Sequence, residues 1–289
     1  MNDSTRMLSY LPLAHVLERT LIEFGQLESG MHVYFAETLE TFTADLQRAR
    51  PTVFFSVPRL WVKFQQGVLA QMSAAKLEWL LRLPVVKGMV SRKILGALGL
   101  DQCIFAVGGA APMPQDLLRW YSKLGLNIGE GYGMTENLAI CHIAMPGKRA
   151  FGTVGQPYDG VQCRLDPSDG EIQMKSPATM LGYYKQPELS RLAFTEDGWL
   201  HTGDKGVLDA AGNLKITGRV APAFPPNLSW VINIVPSTRR GAGWLSISRR
   251  ASEGGRGLGR NSYCHSYIAY LRKSATLRIV SPHTSEKGL

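Results

Sequence analysis

Residues 103–133 read CIFAVGGAAPMPQDLLRWYSKLGLNIGEGYG, and this stretch decides the fold. CIFAVGG is a short apolar run ending in Gly-Gly, the pattern of a buried strand followed by a turn. APMPQDLLRWYSKLG predicts a helix: prolines open it, Leu117, Leu118, Tyr121 and Leu124 share one face, and Gly125 closes it. LNIGEGYG predicts another short strand. Strand, helix, strand within about 30 residues is a βαβ unit, which implies a parallel sheet. Ligands on such sheets gather at the carboxyl ends of strands. Gly108-Gly109 and Gly131-Tyr132-Gly133 both fall there.

Upstream, residues 1–100 read as mainly helical. Leu60, Phe64, Val68 and Met72 recur every four residues, and Trp61 and Leu69 broaden the stripe. That stripe reads as core rather than as a tunnel for an acyl chain. PTVFFSVP (51–58) reads as a buried strand between prolines. Downstream, Val161, Cys163 and Leu165 alternate, Asp169-Gly170 follows, and Ile172 and Met174 alternate again. This is a hairpin signal, and further Asp-Gly turns at 159–160 and 197–198 extend it to a small antiparallel β unit. The organisation expected is therefore α/β over residues 1–150, β-rich over 151–220, and an atypical basic, irregular tail over 221–289.

The net charge of +9 does not indicate a nucleic-acid partner. Residues 1–220 hold 22 Lys+Arg against 21 Asp+Glu, whereas residues 221–289 hold 10 against 2. The excess describes the tail, which is rich in Ser, Gly and Arg and shows no sustained period. Four cysteines without CxxC spacing read as reduced thiols. No apolar run reaches the length of a membrane span, and MNDSTRMLSY has no basic flank leading into an apolar stretch. A cytoplasmic location is expected. The basic amphipathic stretch LPVVKGMVSRKILGALGL (83–100) has two readings: a solvated helix face, which sequence favours, or a peripheral contact with a membrane surface. The patterns GxxxxGK[ST], GxSxG and GxGxxG are missing, as is any His/Cys cluster with zinc spacing.

GEGYGMTEN (129–137), taken alone, is best read as a Gly-rich turn with a helix-start threonine and a solvated glutamate. Its neighbours reverse that. LSYLPLAHVLERT (8–20), PTVFFSVPRLWVKF (51–64), GGAAPMP (108–114), GEGYGMTEN, GTVGQP (152–157), GEIQMKSPATMLGYYKQPE (170–188), GWLHTGD (198–204) and ITGR (216–219) occur in one order. In that order they resemble the motifs of adenylate-forming enzymes, specifically long-chain fatty acid–CoA ligases. The resemblance implies part of the family's N-terminal domain, with parallel-sheet αβα layers and a small antiparallel β unit. It implies the reaction of ATP with a fatty acid to an acyl-adenylate, and transfer of the acyl group to coenzyme A.

The residue types suit that chemistry. By resemblance, Gly108, Gly109 and Ala110 contact adenine, where only small residues let a base lie against backbone. Tyr132 offers a ring for stacking on adenine, and Gly133 allows close approach. Thr135 offers a hydroxyl to phosphate and Glu136 a hard oxygen to Mg²⁺, the two assigned catalytic roles. Asp204 accepts from both ribose hydroxyls, Arg219 contacts ribose or phosphate, and His15 lines the substrate pocket. The family also carries a Ser/Thr/Gly-rich phosphate loop upstream of residue 8, and a Lys-Asp hinge and mobile domain after ITGR. Here the sequence continues VAPAFPPNLSW. The expectation is a chain truncated at both ends, out of frame from about residue 221, and impaired in turnover. A non-catalytic AMP- or acyl-binding remnant is the alternative.

Overall fold

The computed structural model describes residues 1–144 and 152–220 and, beyond them, four strands. The chain begins with two strands that the mainly helical reading of residues 1–100 did not include. These are β1 (Arg6–Ser9) and β2 (His32–Phe35), paired in parallel with Arg6 opposite His32. At four residues each they are too short to declare a period. Between them a wide-turn helix, Glu18–Phe24, runs into Gly25–Ser29.

The central sheet starts with β3 (Val53–Ser56), β4 (Phe105–Gly108) and β5 (Ile128–Tyr132), all parallel, with Ser56 opposite Gly108 and Gly108 opposite Glu130. The strands β6 (His142–Ile143) and β7 (Gln156–Pro157) extend it antiparallel beyond β5. The sheet's period of two divides its side chains between two layers. Phe54, Ala106 and Ile128 face a core built with the helices Phe42–Ala49, Pro58–Gln71 and Gln115–Lys123. Val53, Phe55 and Phe105 face the other way, onto Leu21 and Ile22 of the wide-turn helix. The αβα layering expected from the βαβ pattern follows from that alternation.

In the first layer Trp61 is fully buried, edge-on to Tyr121 at 5.1 Å and to Phe54 at 5.4 Å. Tyr121 Oη donates to the Trp61 carbonyl at 2.7 Å, which satisfies a hydroxyl deep in the core. The stripe over residues 60–72 lies on the core side, with Trp61 and Phe64 buried and Leu60 and Val68 packed against the same cluster. The first helix ends at Gln71, and Ser73 starts the second, Ala74–Arg82, its Oγ accepting from Lys76 N at 3.4 Å. The N-cap serine stands where the four-residue apolar spacing lapses, its next position being Lys76.

The strands β8 (Gln162–Leu165) and β9 (Glu171–Lys175) form the anticipated hairpin, with Leu165 opposite Ile172. After β10 (Gly182–Tyr183), the strands β11 (Leu200–Leu208) and β12 (Leu214–Arg219) complete a four-stranded antiparallel sheet in the order β12-β11-β9-β8. Tyr132 at the end of β5 packs into this sheet's core with Cys141, Ile172, Met174 and Leu214, so the two sheets share one wall. In the basic tail, strands Trp230–Pro236, Gly243–Arg249, Tyr267–Leu271 and Ile279–Val280 pair antiparallel beside β10. The rest of the tail lies outside the described residues.

Candidate functional site

The carboxyl ends of β3, β4 and β5 bring three turns side by side. Gly109 N donates to the Ser56 carbonyl at 3.2 Å, and a Cβ on Gly109 would lie 3.4 Å from the Gly131 carbonyl oxygen. Backbone therefore packs on backbone at the turn that the resemblance assigns to adenine. Ala110 continues it with φ of +65°, a conformation that costs about 1 kcal/mol for a residue with a Cβ.

After Tyr132 the chain folds tightly back on itself. A Cβ on Gly133 would meet Ala139 backbone atoms at 2.5 Å, so only glycine fits. Thr135–Asn137 make one short 3₁₀ turn. Asn137 clamps it: its Oδ1 accepts from Met134 N at 2.9 Å, its Nδ2 lies 3.3 Å from Met174 Sδ, and Ala139 N donates to the Met134 carbonyl at 2.8 Å. Glu136 is buried rather than solvated. Its Oε1 accepts from Tyr183 Oη at 3.0 Å, and its carbonyl from Met180 N at 2.7 Å.

Asp204 reaches the same place from β11. Thr202 Oγ1 donates to the Ile172 carbonyl at 2.7 Å and accepts from Asp204 N at 3.1 Å. Glu171 receives Gly203 N at 2.8 Å on one oxygen and meets His201 Nδ1 at 2.7 Å on the other. These bonds pin the HTGD turn on β9 at a break in the strand register, between His201 and Lys205. The result aims the Asp204 carboxylate at Tyr132, whose Oη donates to Oδ2 at 2.7 Å. Arg219, opposite Asp204 in the ladder, places Nε 3.3 Å from Oδ1. Burial pushes the Tyr132 phenol well above its ordinary pKa, and the nearby Asp204 carboxylate adds to the rise. The phenol is thus a fixed donor.

The structure brings together Gly108, Gly109 and Ala110 with the end of β5, and Tyr132 with Asp204 and Arg219. Thr135 and Glu136 follow Tyr132 within one turn. His15 is half-buried and bonds locally: Nδ1 accepts from Leu17 N at 3.2 Å, and burial lowers its pKa. A bond from Thr20 Oγ1 to the Leu138 carbonyl at 3.0 Å ties its segment to the GEGYGMTEN turn. Sequence reasoning did not single out Asn137, Glu171, Thr202, Tyr183 or His142. The first four lie inside quoted motifs, so the signal was present; each also needs a partner 30 or more residues away, Met174 for Asn137, Gly203 for Glu171, Ile172 for Thr202 and Glu136 for Tyr183. His142 pairs with Tyr132 across β5–β6, is buried, and has a pKa pushed down to about 4 by desolvation.

The sequence pattern of the family described as "AMP-binding enzyme" matches residues 1–184. The chain belongs to the AMP-binding enzyme family. Long-chain-fatty-acid–CoA ligase FadD15 of Mycobacterium bovis is 34% identical over 244 residues, covering 76% of this chain and 40% of that protein. Long-chain-fatty-acid–CoA ligase 6 of Homo sapiens is 31% identical over 247 residues, covering 75% of this chain and 35% of that protein. A malonyl-CoA ligase structure, a ternary product complex with methylmalonyl-CoA and AMP bound, superposes with a TM-score of 0.57 at 25% identity. It covers 86% of this chain and 55% of the other. This AMP-binding family member thus spans about two fifths of the length of the curated relatives it matches.

Proposed function

We propose that this chain carries the nucleotide-binding part of a fatty acid–CoA ligase. In that reaction a fatty carboxylate attacks the α-phosphorus of ATP, a P–O bond forms, and pyrophosphate leaves. The thiol sulfur of coenzyme A then attacks the acyl carbon, and AMP leaves with the electron pair of the broken C–O bond. The observation that carries the reading is the 2.7 Å bond between Tyr132 and Asp204, with Arg219 beside them. It gathers, at one point, side chains from three motifs spread over 88 positions.

In this reading the adenine lies between the Tyr132 ring and the Gly108–Ala110 backbone, and Asp204 accepts the ribose hydroxyls. Arg219 adds positive charge at the sugar or phosphate, Thr135 donates to the α-phosphate, and His15 borders the acyl chain. Adenylation builds negative charge on phosphate oxygen, so donors fixed in advance do most of the catalytic work. Among the described residues no cluster of three metal-binding side chains occurs. Mg²⁺ fits nonetheless, because it binds one or two carboxylates and fills its remaining positions with substrate phosphate and water. Glu136 is the hard-oxygen donor at hand, and the ion would neutralise phosphate charge.

A second reading, AMP or acyl-adenylate binding without turnover, is favoured by one observation. Past Arg219 the sequence VAPAFPPNLSW departs from the Lys-Asp hinge that the resemblance implies. ATP–pyrophosphate exchange driven by hexadecanoate, run beside calorimetric titration with AMP, separates the two. Exchange supports the ligase, and AMP binding without exchange supports the remnant. The absence of both overturns the nucleotide assignment.

A further inference from the structure

The helices Ala74–Arg82 and Pro84–Ala97 form a hairpin joined at Leu83. In the second helix Val86, Val90, Ile94 and Leu95 are half-buried and Ser91 is buried, so this face turns inward. The opposite face carries Val85 and Met89 one turn apart, 86% and 70% exposed. Arg92 and Lys93 continue the same row one turn further on, and with Gly88 and Met89 they line a shallow surface depression. Lys87 is exposed as well, but it projects from the other side of the helix, two residues from both Val85 and Met89. On the first helix Trp79 is 61% exposed, and Leu83 at the joint is also exposed.

The charge on this tip has one sign. Between residues 79 and 100 the cations are Arg82, Lys87, Arg92 and Lys93, and there is no Asp or Glu. The nearest acid, Glu78, is engaged by Lys123 at 2.9 Å and Arg82 at 4.0 Å. Trp, Leu, Val and Met in water cost free energy that a cation row alone does not offset. Indole and aliphatic groups flanked by Lys and Arg suit the boundary between headgroups and acyl chains, with the cations on anionic headgroups. Among the described residues no helix is long and apolar enough to cross a membrane, so the contact is peripheral.

We propose that this hairpin tip docks on an anionic lipid surface, with Trp79, Leu83, Val85 and Met89 entering the interface and Arg82, Arg92 and Lys93 on the headgroups. The exposure of Val85 and Met89 favours this over the solvated face that sequence alone preferred. The inference is independent of what the Tyr132–Asp204 site binds.

The test is flotation of the full chain with vesicles of phosphatidylcholine containing about a third phosphatidylserine, against pure phosphatidylcholine. Binding to the anionic vesicles is expected, weakening as salt shortens the Debye length. Arg92→Gln/Lys93→Gln should lower it about 25-fold, at about fivefold per cation. Val85→Asp/Met89→Asp should abolish it. All four side chains point to solvent, so the thermal midpoint should stay where it is in both variants. No binding, equal binding to both vesicles, or variants that bind like the parent would overturn the proposal. So would self-association in lipid-free buffer that Val85→Asp/Met89→Asp dissolves, since the face would then belong to a second copy of the chain.

Discussion

Replacing Asp204 by Asn separates the two jobs its carboxylate performs. In the folded chain it accepts a hydrogen bond from Tyr132 Oη at 2.7 Å and meets Arg219 Nε at 3.3 Å. A bond between a neutral donor and a carboxylate contributes about 1.5–3 kcal/mol, and an amide oxygen in the same place retains roughly half. The Arg219 side chain is 67% exposed, so that ion pair adds about 0–1 kcal/mol. Asp204→Asn should therefore cost about 1–2 kcal/mol of stability, read as a shift of the urea midpoint. Its effect on AMP should be larger. One of two acceptors for the ribose diol becomes a donor and the charge is lost, about 2–3 kcal/mol, or roughly 30- to 150-fold in Kd. Tyr132→Phe supplies the contrast. It keeps the ring for stacking and removes only the hydroxyl, so it should cost about 1.5–3 kcal/mol of stability while changing AMP affinity less than about fivefold. Titration calorimetry with AMP reads both. If Asp204→Asn binds AMP within about threefold of the parent, the carboxylate is not the diol acceptor. If Tyr132→Phe weakens AMP as much as Asp204→Asn does, the ligand reads the phenol and the carboxylate together.

Two further outcomes test the turn and the buried histidine. Gly133→Ala places a Cβ 2.5 Å from Ala139 backbone and should cost about 2–3 kcal/mol in urea denaturation, weakening AMP as the Met134–Asn137 turn shifts. His142 is held neutral, its pKa down to about 4 from an ordinary 6.5, so the unfolded chain binds the extra proton between those values. Stability from this group is full above about pH 6.5 and is lost progressively towards pH 4, up to roughly 3 kcal/mol, and His142→Gln should remove that part of the slope in a pH series of urea midpoints.

The parallel core was legible because β3 and β4 are buried on both faces and read as apolar runs with Gly and Pro marking their ends, while β5, IGEGY, was placed by its spacing after the helix. The βαβ rule then gave β4 and β5 their parallel direction. What sequence missed follows from length and from local competition. Strands β1 and β2 offer four residues each, and their pairing joins positions 26 apart, which no local period reports. The break at Ser73 is a local hydrogen bond of a hydroxyl, at the point where the apolar spacing meets Lys76.

The site divides along the same line. Glycines announce themselves where close backbone approach excludes every other residue, as at Gly133, where a Cβ would meet Ala139 backbone at 2.5 Å. Asp204 was legible only as part of a motif; a lone Thr-Gly-Asp is an ordinary turn. Its role as an aimed carboxylate comes from Glu171 and Thr202, which fix the turn from a neighbouring strand, and from Tyr132, 72 residues away. Glu136 shows the limit most plainly. Its sequence context suits either a solvated turn glutamate or a ligand, and only the fold puts it under Tyr183 and away from bulk water.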